Sequence, residues 1–175
     1  LLDHLGIEGA HIVGASMGGM IVQSMAIRHP RRVLSMTSIM STTGALSVGQ
    51  AKPEALGALM ATPPASREEA IEQMVRTFRI IGSPAYPADE AELRRQAAAD
   101  YDRCFHPQGQ ARQMVAIIAS GDRTAALGKV TTPTLVLHGE ADPLVALSGG
   151  EATAAAIPGA KLLTFPGVGH DMPRQ

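Results

Sequence analysis

Largely apolar runs alternate with glycine- and proline-rich turns at both ends of the chain. Residues 10–13, 134–137 and 161–165 are short runs of the length and apolar character expected of buried strands. The first run is followed by an apolar helical pattern over residues 20–29, which stops before Pro30 because proline cannot continue a helix. Strands interleaved with helices predict an α/β domain built on a mostly parallel sheet of about four strands with flanking helices.

The pattern changes to helices alone between about residues 41 and 129. The predicted helices run from the capping sequence at Ser66 to about Gly82, from Asp89 towards Arg103, and from Pro107 to Gly121. Their apolar faces carry Ile71, Met74, Val75 and Phe78 in the first helix and Met114, Ile117 and Ile118 in the last. We therefore divide the chain into a core half at residues 1–40, a helical insertion at 41–129 and a second core half at 130–175.

A serine flanked by glycines lies at the predicted turn from the first strand into the first helix, in the sequence Gly14-Ala15-Ser16-Met17-Gly18-Gly19. Neighbours without side chains allow the strained backbone that holds a nucleophilic serine on a tight strand-to-helix turn. The N-terminus of the following helix would stabilise an oxyanion, with the backbone N–H of Met17 as one donor. The alternative interpretation is a glycine-rich turn whose serine caps the helix.

The far end of the chain supplies a carboxylate and an imidazole, each just after a predicted strand. Asp142 is followed by Pro143, which disfavours helical geometry and keeps the carboxylate in an extended turn, while His170 lies in a glycine-rich loop. A serine hydroxyl becomes a good nucleophile when an imidazole takes its proton and a carboxylate orients that imidazole. We predict Ser16 as nucleophile, His170 as general base and then acid, and Asp142 as its partner. Asp171 is a competing carboxylate beside the histidine.

Three motifs in this order resemble the α/β-hydrolase fold superfamily, specifically its small cap-bearing esterases and lipase-like enzymes. The matching sequences are Gly14-x-Ser16-x-Gly18-Gly19, His138-Gly139-x-x-Asp142-Pro143 and Gly167-x-Gly169-His170, and residues 1–7 resemble the helix that precedes the nucleophile strand. The resemblance implies a Ser-Asp-His triad in the chain order of that superfamily. It also implies that the helical insertion is a cap, which would exclude water and shape the substrate pocket.

The chain departs from the family pattern at both ends. Members of the family carry earlier strands, a His-Gly-type loop with a second oxyanion donor, and a closing C-terminal helix, so we expect this chain to be a piece of a longer protein. The nucleophile strand would then be an exposed sheet edge, which invites pairing with another chain. An oxyanion site with one donor fewer is expected to lose about 3 kcal/mol of transition-state stabilisation, which puts the activity of the chain alone in question.

Composition excludes several other classes of protein. The 175 residues carry a formal net charge of −1 with acids and bases interspersed, and aromatic residues make up 3% with no tryptophan. Neither a basic face nor a stacking platform for nucleic acid is therefore indicated. No apolar run approaches the roughly 20 residues of a membrane span. Cys104 is the only cysteine, so no internal disulfide can form and a cytoplasmic location is the default expectation.

No cofactor or metal is predicted. The glycine-rich turn lacks dinucleotide-binding spacing and a following lysine. Four residues could be considered as metal ligands, namely His138, Glu140, Asp142 and His170, but their spacing is not a known ligand pattern and a triad explains two of them better. Cys104 lies near His106, and a partly buried thiol at a helix end is favoured over a cysteine nucleophile.

The sequence thus predicts a serine hydrolase that cleaves a small apolar carboxylic ester, of the methyl ester or lactone type, through an acyl-enzyme. The resemblance leaves alternatives open, because one fold serves many reactions. The first is an acyltransferase, since residues 16–30 also resemble homoserine acetyltransferases. Hydrolases of carbon–carbon bonds and cofactor-free haloperoxidases share the fold. A ligand-binding module or an inactive fragment is the alternative from another class.

Overall fold

The computed structural model describes residues 1–174, which form four strands and seven α-helices. In chain order the elements are β1 (Ala10–Ala15), α1 (Met17–Arg28), a 3₁₀ turn (Pro30–Arg32), β2 (Val33–Ile39), α2 (Pro53–Leu59), α3 (Arg67–Ile81), α4 (Glu90–Arg103), α5 (Pro107–Ser120), α6 (Thr124–Leu127), β3 (Thr134–Gly139), α7 (Leu147–Ala156) and β4 (Lys161–Phe165).

The four strands form one sheet in the order β1-β2-β3-β4, and every neighbouring pair is parallel. The predicted parallel α/β sheet is therefore confirmed. In the register, Ala15 lies beside Ile39, Ile39 beside Leu137, and Leu137 beside Leu163. The carboxyl ends of all four strands consequently meet at one edge, where the segments that follow β1, β3 and β4 come together.

One face of this sheet carries the core. The core cluster joins α1, β2, α6 and the segments after α6 and α7, and consists of Val22, Ala26, Val33, Met36, Leu127, Val130 and Ile157. The opposite face is open along its outer strands: Val13 of β1 is 67% exposed and Leu163 of β4 is 52% exposed. Within the described residues β1 is an edge strand, as the sequence led us to expect.

Of the helices between β2 and β3, α2 and α4 both pack against α3, whereas α6 packs against α1 and α7 in the core. Helix α3 begins where predicted, because the Ser66 side chain accepts a hydrogen bond from the Glu69 N–H, and α4 begins in the same way at Asp89. Arg94 of α4 binds Glu72 of α3, and this hydrogen bond lowers the pKa of the Glu72 carboxyl. The division at residues 41 and 129 stays a prediction.

Some local expectations need correction. Helix α1 begins at Met17 rather than at residue 20. Strand β2 was not recognised individually, because serine and threonine interrupt its apolar pattern, yet Ser38 is buried and accepts a hydrogen bond from Gln23. Helix α5 forms as expected but buries no residue, with Ile118 73% exposed.

Cys104 also differs from expectation. It lies at the end of α4 as predicted, but its thiol is exposed rather than partly buried. The ring of His106 lies 3.2 Å from the guanidinium of Arg112.

Candidate active site

The backbone of Ser16 is in a conformation that side chains rarely adopt. Its φ is 55° and its ψ is −118°, at the junction of β1 and α1. Such strain costs about 1–3 kcal/mol and is commonly found at functional sites. Ser16 occupies the N-cap position of α1, but its side chain makes no capping hydrogen bond. The interpretation of Ser16 as a helix-capping serine is therefore wrong.

Two glycines leave room for the close packing around this turn. A Cβ atom on Gly14 would lie 2.1 Å from the carbonyl oxygen of Gly18, and one on Gly19 would lie 2.4 Å from the Cβ of Ser41. Gly18 differs, because a Cβ there would meet nothing within 4 Å. Gly14 thus allows β1 and α1 to approach each other, Gly19 allows α1 to approach the segment after β2, and Gly18 is not required for space.

Asp142 is held by backbone amides directly after β3. Its Oδ1 accepts hydrogen bonds from the N–H groups of Leu144 at 2.9 Å and Val145 at 2.8 Å. The residue is only 5% exposed. Because one oxygen is fixed by the backbone, the other is left to receive a side-chain donor.

That donor is the imidazole of His170. His170 Nδ1 lies 2.7 Å from Asp142 Oδ2, and Nε2 lies 2.9 Å from Ser16 Oγ. With the carboxylate ionised, the Nδ1–H donates to Asp142, and Nε2 then accepts the hydrogen bond of the serine hydroxyl. The ring is buried, with His170 8% exposed. The structure therefore brings all three predicted side chains together, while their catalytic roles remain a prediction.

The N–H of Met17 lies at the start of α1, directly after Ser16. As the first helical residue, Met17 has an N–H without a partner inside the helix. The N–H groups of Gly19 and Met20 instead donate to the Ser16 carbonyl, at 2.9 and 3.4 Å. The Met17 N–H thus lies where the sequence predicted an oxyanion donor, and its role as that donor also stays a prediction.

The competing groups have other partners. The Asp171 carboxylate accepts a hydrogen bond from the Ser83 hydroxyl and none from the ring of His170. His138 donates from Nε2 to the Val145 carbonyl at 2.8 Å, and this nitrogen lies 3.7 Å from Asp142. Glu140 accepts from Thr164. No group of three metal-ligating side chains occurs in the part of the chain that the structure describes.

Sequence reasoning missed two residues that support this region. Ser83 binds the loop that carries His170, residues 167–171 (the histidine loop), through Gly169 as well as Asp171. Arg123 is 6% exposed and donates to Gln23 of α1 at 3.0 Å. The only sequence signal for either Ser83 or Arg123 was the sequence Gly82-Ser83-Pro84, which indicates the end of a helix and no contact with the site.

Comparison with known proteins supplies the family. The family model described as alpha/beta hydrolase fold matches residues 1–173. The chain belongs to the α/β-hydrolase fold family. This α/β hydrolase is 28% identical to the rhodomycin D methylesterase of Streptomyces peucetius, over 99% of the chain and 64% of that protein. It is 29% identical to the 2-hydroxy-6-oxononadienedioate/2-hydroxy-6-oxononatrienedioate hydrolase of Cupriavidus pinatubonensis, over 97% of the chain and 58% of that protein.

A solved structure agrees with the family. The meta-cleavage product hydrolase of Pseudomonas fluorescens IP01 superimposes with a TM-score of 0.74 at 27% identity, covering 97% of this α/β hydrolase and 60% of the other chain. The chain thus spans between about 58% and 64% of the length of these relatives. Across residues 1–174 no helix has both the length and the apolar character needed to cross a bilayer.

Proposed function

We propose that this α/β hydrolase cleaves a small, apolar carboxylic ester through a covalent acyl-enzyme on Ser16. The observation that carries the proposal is the continuous hydrogen-bonded chain from Ser16 Oγ through the His170 ring to Asp142, at 2.9 and 2.7 Å. Such a chain activates a hydroxyl for acyl transfer. The strained backbone of Ser16 supports the same role, because strain of this kind is retained where function requires it.

The proposed reaction assigns one step to each of these side chains. Ser16 Oγ attacks the ester carbonyl carbon while His170 Nε2 takes the hydroxyl proton, and Asp142 stabilises the resulting imidazolium. The carbonyl oxygen becomes an oxyanion that the Met17 N–H stabilises. His170 then returns its proton to the departing alcohol, which leaves the acyl group on Ser16. Water, deprotonated by the same histidine, attacks the acyl-enzyme and releases the acid with the serine regenerated.

A methyl ester or lactone is the proposed substrate type. The name of the Streptomyces relative, a methylesterase, supports this choice. We further propose that residues 41–129 form a cap over the site, because this helical segment reaches the histidine loop and lies in sequence between Ser16 and Asp142. A cap would exclude water from the acyl-enzyme until the alcohol has left.

A fluorophosphonate probe tests the nucleophile directly. We expect the probe to label the chain, and Ser16→Ala to abolish labelling and to lower ester turnover by roughly 10⁶-fold while the protein remains folded. Ser24→Ala is the matched control, because it removes another hydroxyl of the same helix, one that donates to the Met20 carbonyl at 2.9 Å. Labelling that persists in Ser16→Ala would refute the assignment.

A second candidate substrate class is suggested by the name of the Cupriavidus relative. The same serine would then act on an oxo-dienoate such as 2-hydroxy-6-oxononadienedioate. Parallel turnover assays with this compound and with an aliphatic methyl ester distinguish the two. The acyltransferase alternative is separated by product analysis with water and an alcohol in competition, because transfer produces a new ester instead of an acid.

A further inference from the structure

The segment that follows α3 lies against the loop that carries His170. We call residues 81–85 the clamp and residues 167–171 the histidine loop. Three backbone hydrogen-bond donors join them. The His170 N–H donates to the Ile81 carbonyl at 2.7 Å, the Gly169 N–H donates to Ser83 Oγ at 2.9 Å, and the Ala85 N–H donates to the Gly167 carbonyl at 3.2 Å.

Ser83 is bonded to both neighbours of His170. Its hydroxyl oxygen accepts from the Gly169 N–H while its proton is donated to the Asp171 carboxylate. The residue is 4% exposed, so solvent cannot readily replace either bond. A single buried hydroxyl therefore holds the backbone on one side of His170 and the Asp171 side chain on the other.

The packing around these bonds leaves little room for displacement. A Cβ on Gly169 would lie 2.3 Å from the Gly82 carbonyl oxygen, and one on Gly167 would lie 2.4 Å from the Cβ of Ala85. On its other side the histidine loop is bonded to the segment that carries Asp142, through the Ala141 N–H and the Val168 carbonyl at 3.0 Å. The loop is thus held between the clamp and the aspartate segment.

We propose that Ser83 is a positioning residue for His170. It touches no reacting atom, and it acts by holding the histidine loop so that Nε2 stays within hydrogen-bond reach of Ser16 Oγ. Without the hydroxyl, the Gly169 N–H and the Asp171 carboxylate both lose their partner, so the histidine loop is held less firmly and the distance from Nε2 to Ser16 Oγ is less well fixed. This role rests on the proposed function, because it presupposes that His170 serves Ser16 as a base.

The rate of fluorophosphonate labelling measures the effect. We expect Ser83→Ala to lower the second-order labelling rate by about 10- to 100-fold, since displacements near 1 Å cost that much in positioned reactions. Ser83→Thr keeps the hydroxyl and is expected to restore most of the rate. Thr134→Val is the matched control, because it removes a buried hydroxyl, bonded to the Thr132 carbonyl at 2.8 Å, at the opposite end of β3.

Asp171→Asn provides a second variant that is easier to accommodate, because Asp171 is only partly buried. Since Ser83 acts partly through Asp171, we expect the two substitutions to be non-additive: the double variant should label no more slowly than Ser83→Ala alone. Thermal unfolding, followed for each variant, shows which proteins are folded at the assay temperature.

A second readout does not depend on activity. The Nδ1 proton of His170, hydrogen-bonded to Asp142, is expected to give a strongly downfield NMR signal, which should shift or broaden in Ser83→Ala and not in Thr134→Val. If wild-type protein is not labelled, the proposed function fails and the NMR comparison alone decides whether Ser83 positions the ring. Equal labelling rates and equal NMR signals in Ser83→Ala and Thr134→Val would overturn the role of Ser83.

Discussion

At the scale of single residues, the site depends on where side chains are absent as much as on where they are present. Ser16 adopts a left-handed backbone where β1 turns into α1, and this turn brings Gly14 so close to Gly18 that a Cβ at position 14 would overlap the helix. A Cβ on Gly19 would likewise overlap Ser41, which follows β2. Gly18 belongs to the same sequence motif but faces open space. The three glycines are therefore not equivalent, although the sequence alone gives them equal weight.

We expect Gly14→Ala to lower the free energy of unfolding by about 3 kcal/mol or more, because its Cβ would overlap the backbone of α1. Gly18→Ala is the matched comparison. It adds the same methyl group four residues further on, in the first turn of α1, where the new Cβ would meet nothing within 4 Å. Its effect should stay within about 1 kcal/mol, and in the stabilising direction, because alanine favours a helix over glycine. Chemical denaturation of both variants measures the difference, and equal losses would contradict the steric account.

The residue types of the candidate site could be predicted because each follows a strand within a local motif. A neighbouring glycine or proline marks each of Ser16, Asp142 and His170 in the sequence. Ser83 gives no such signal, since its partners Gly169 and Asp171 are 86 and 88 residues away in sequence. Contacts of that separation arise from the packing of the helical segment against the loop after β4, which no local pattern encodes.

At the scale of elements, a buried arginine joins parts of the chain that share no strand pairing. Arg123 precedes α6 and donates to Gln23 of α1 at 3.0 Å, to the Thr42 carbonyl after β2 at 3.0 Å, and to Ser120 of α5 at 2.7 Å. Burial lowers the pKa of the Arg123 guanidinium, which nonetheless remains charged. Five donors on one rigid group suit a junction of several elements.

We expect Arg123→Met to lower the free energy of unfolding by about 2–4 kcal/mol, because the Gln23 amide oxygen and the Thr42 carbonyl would lose a charged donor while remaining buried. Arg112→Met is the control. Its side chain is exposed and bonds to the Gln108 carbonyl of its own helix, so the change should be within about 0.5 kcal/mol. Urea titration compares the two, and similar midpoints would show that the Arg123 contacts contribute little.

The starts of two helices were easier to predict at this scale than strand β2, whereas helices α2 and α6 were not predicted from the sequence. The starts of α3 and α4 follow from capping side chains at Ser66 and Asp89, which are local signals. Strand β2 was missed as an individual element because its polar residues are satisfied only in the folded protein, where Ser38 meets Gln23. The exposure of α5 could likewise not be predicted, since an apolar helical face does not indicate which element packs against it.

At the scale of the whole molecule, the helices within residues 1–174 cover one face of the sheet and leave the outer strands of the other face exposed. Helices α1, α6 and α7 enclose the core face, whereas Val13, Leu163 and Phe165 remain 67%, 52% and 41% exposed on the other. An apolar face that continues to an edge strand favours association with another chain. Self-association of this chain is therefore still expected, as the sequence predicted.

The double variant Val13→Lys/Leu163→Lys places charges on that open face, and we expect it to abolish a concentration-dependent rise in sedimentation coefficient that the wild-type chain should show. The matched control is Val115→Lys/Ile118→Lys on α5, where the side chains are 65% and 73% exposed. This control should sediment like wild type. A wild-type protein that sediments identically at all concentrations would contradict the prediction.

The arrangement of the sheet was within reach of sequence reasoning, because interleaved strands and helices restrict the topology strongly. The distribution of exposed surface was not, since it depends on which helices fold back over which face.

The clamp has a practical consequence for protein engineering. Segments such as residues 41–129 are attractive units to transplant between homologues in search of new specificities. Here a transplant would also replace the Ile81 carbonyl and the Ser83 hydroxyl, and with them the hydrogen bonds that support the histidine loop. A graft chosen for its binding surface alone would arrive without that support, so chimeras should be designed with these two anchor points retained from the recipient.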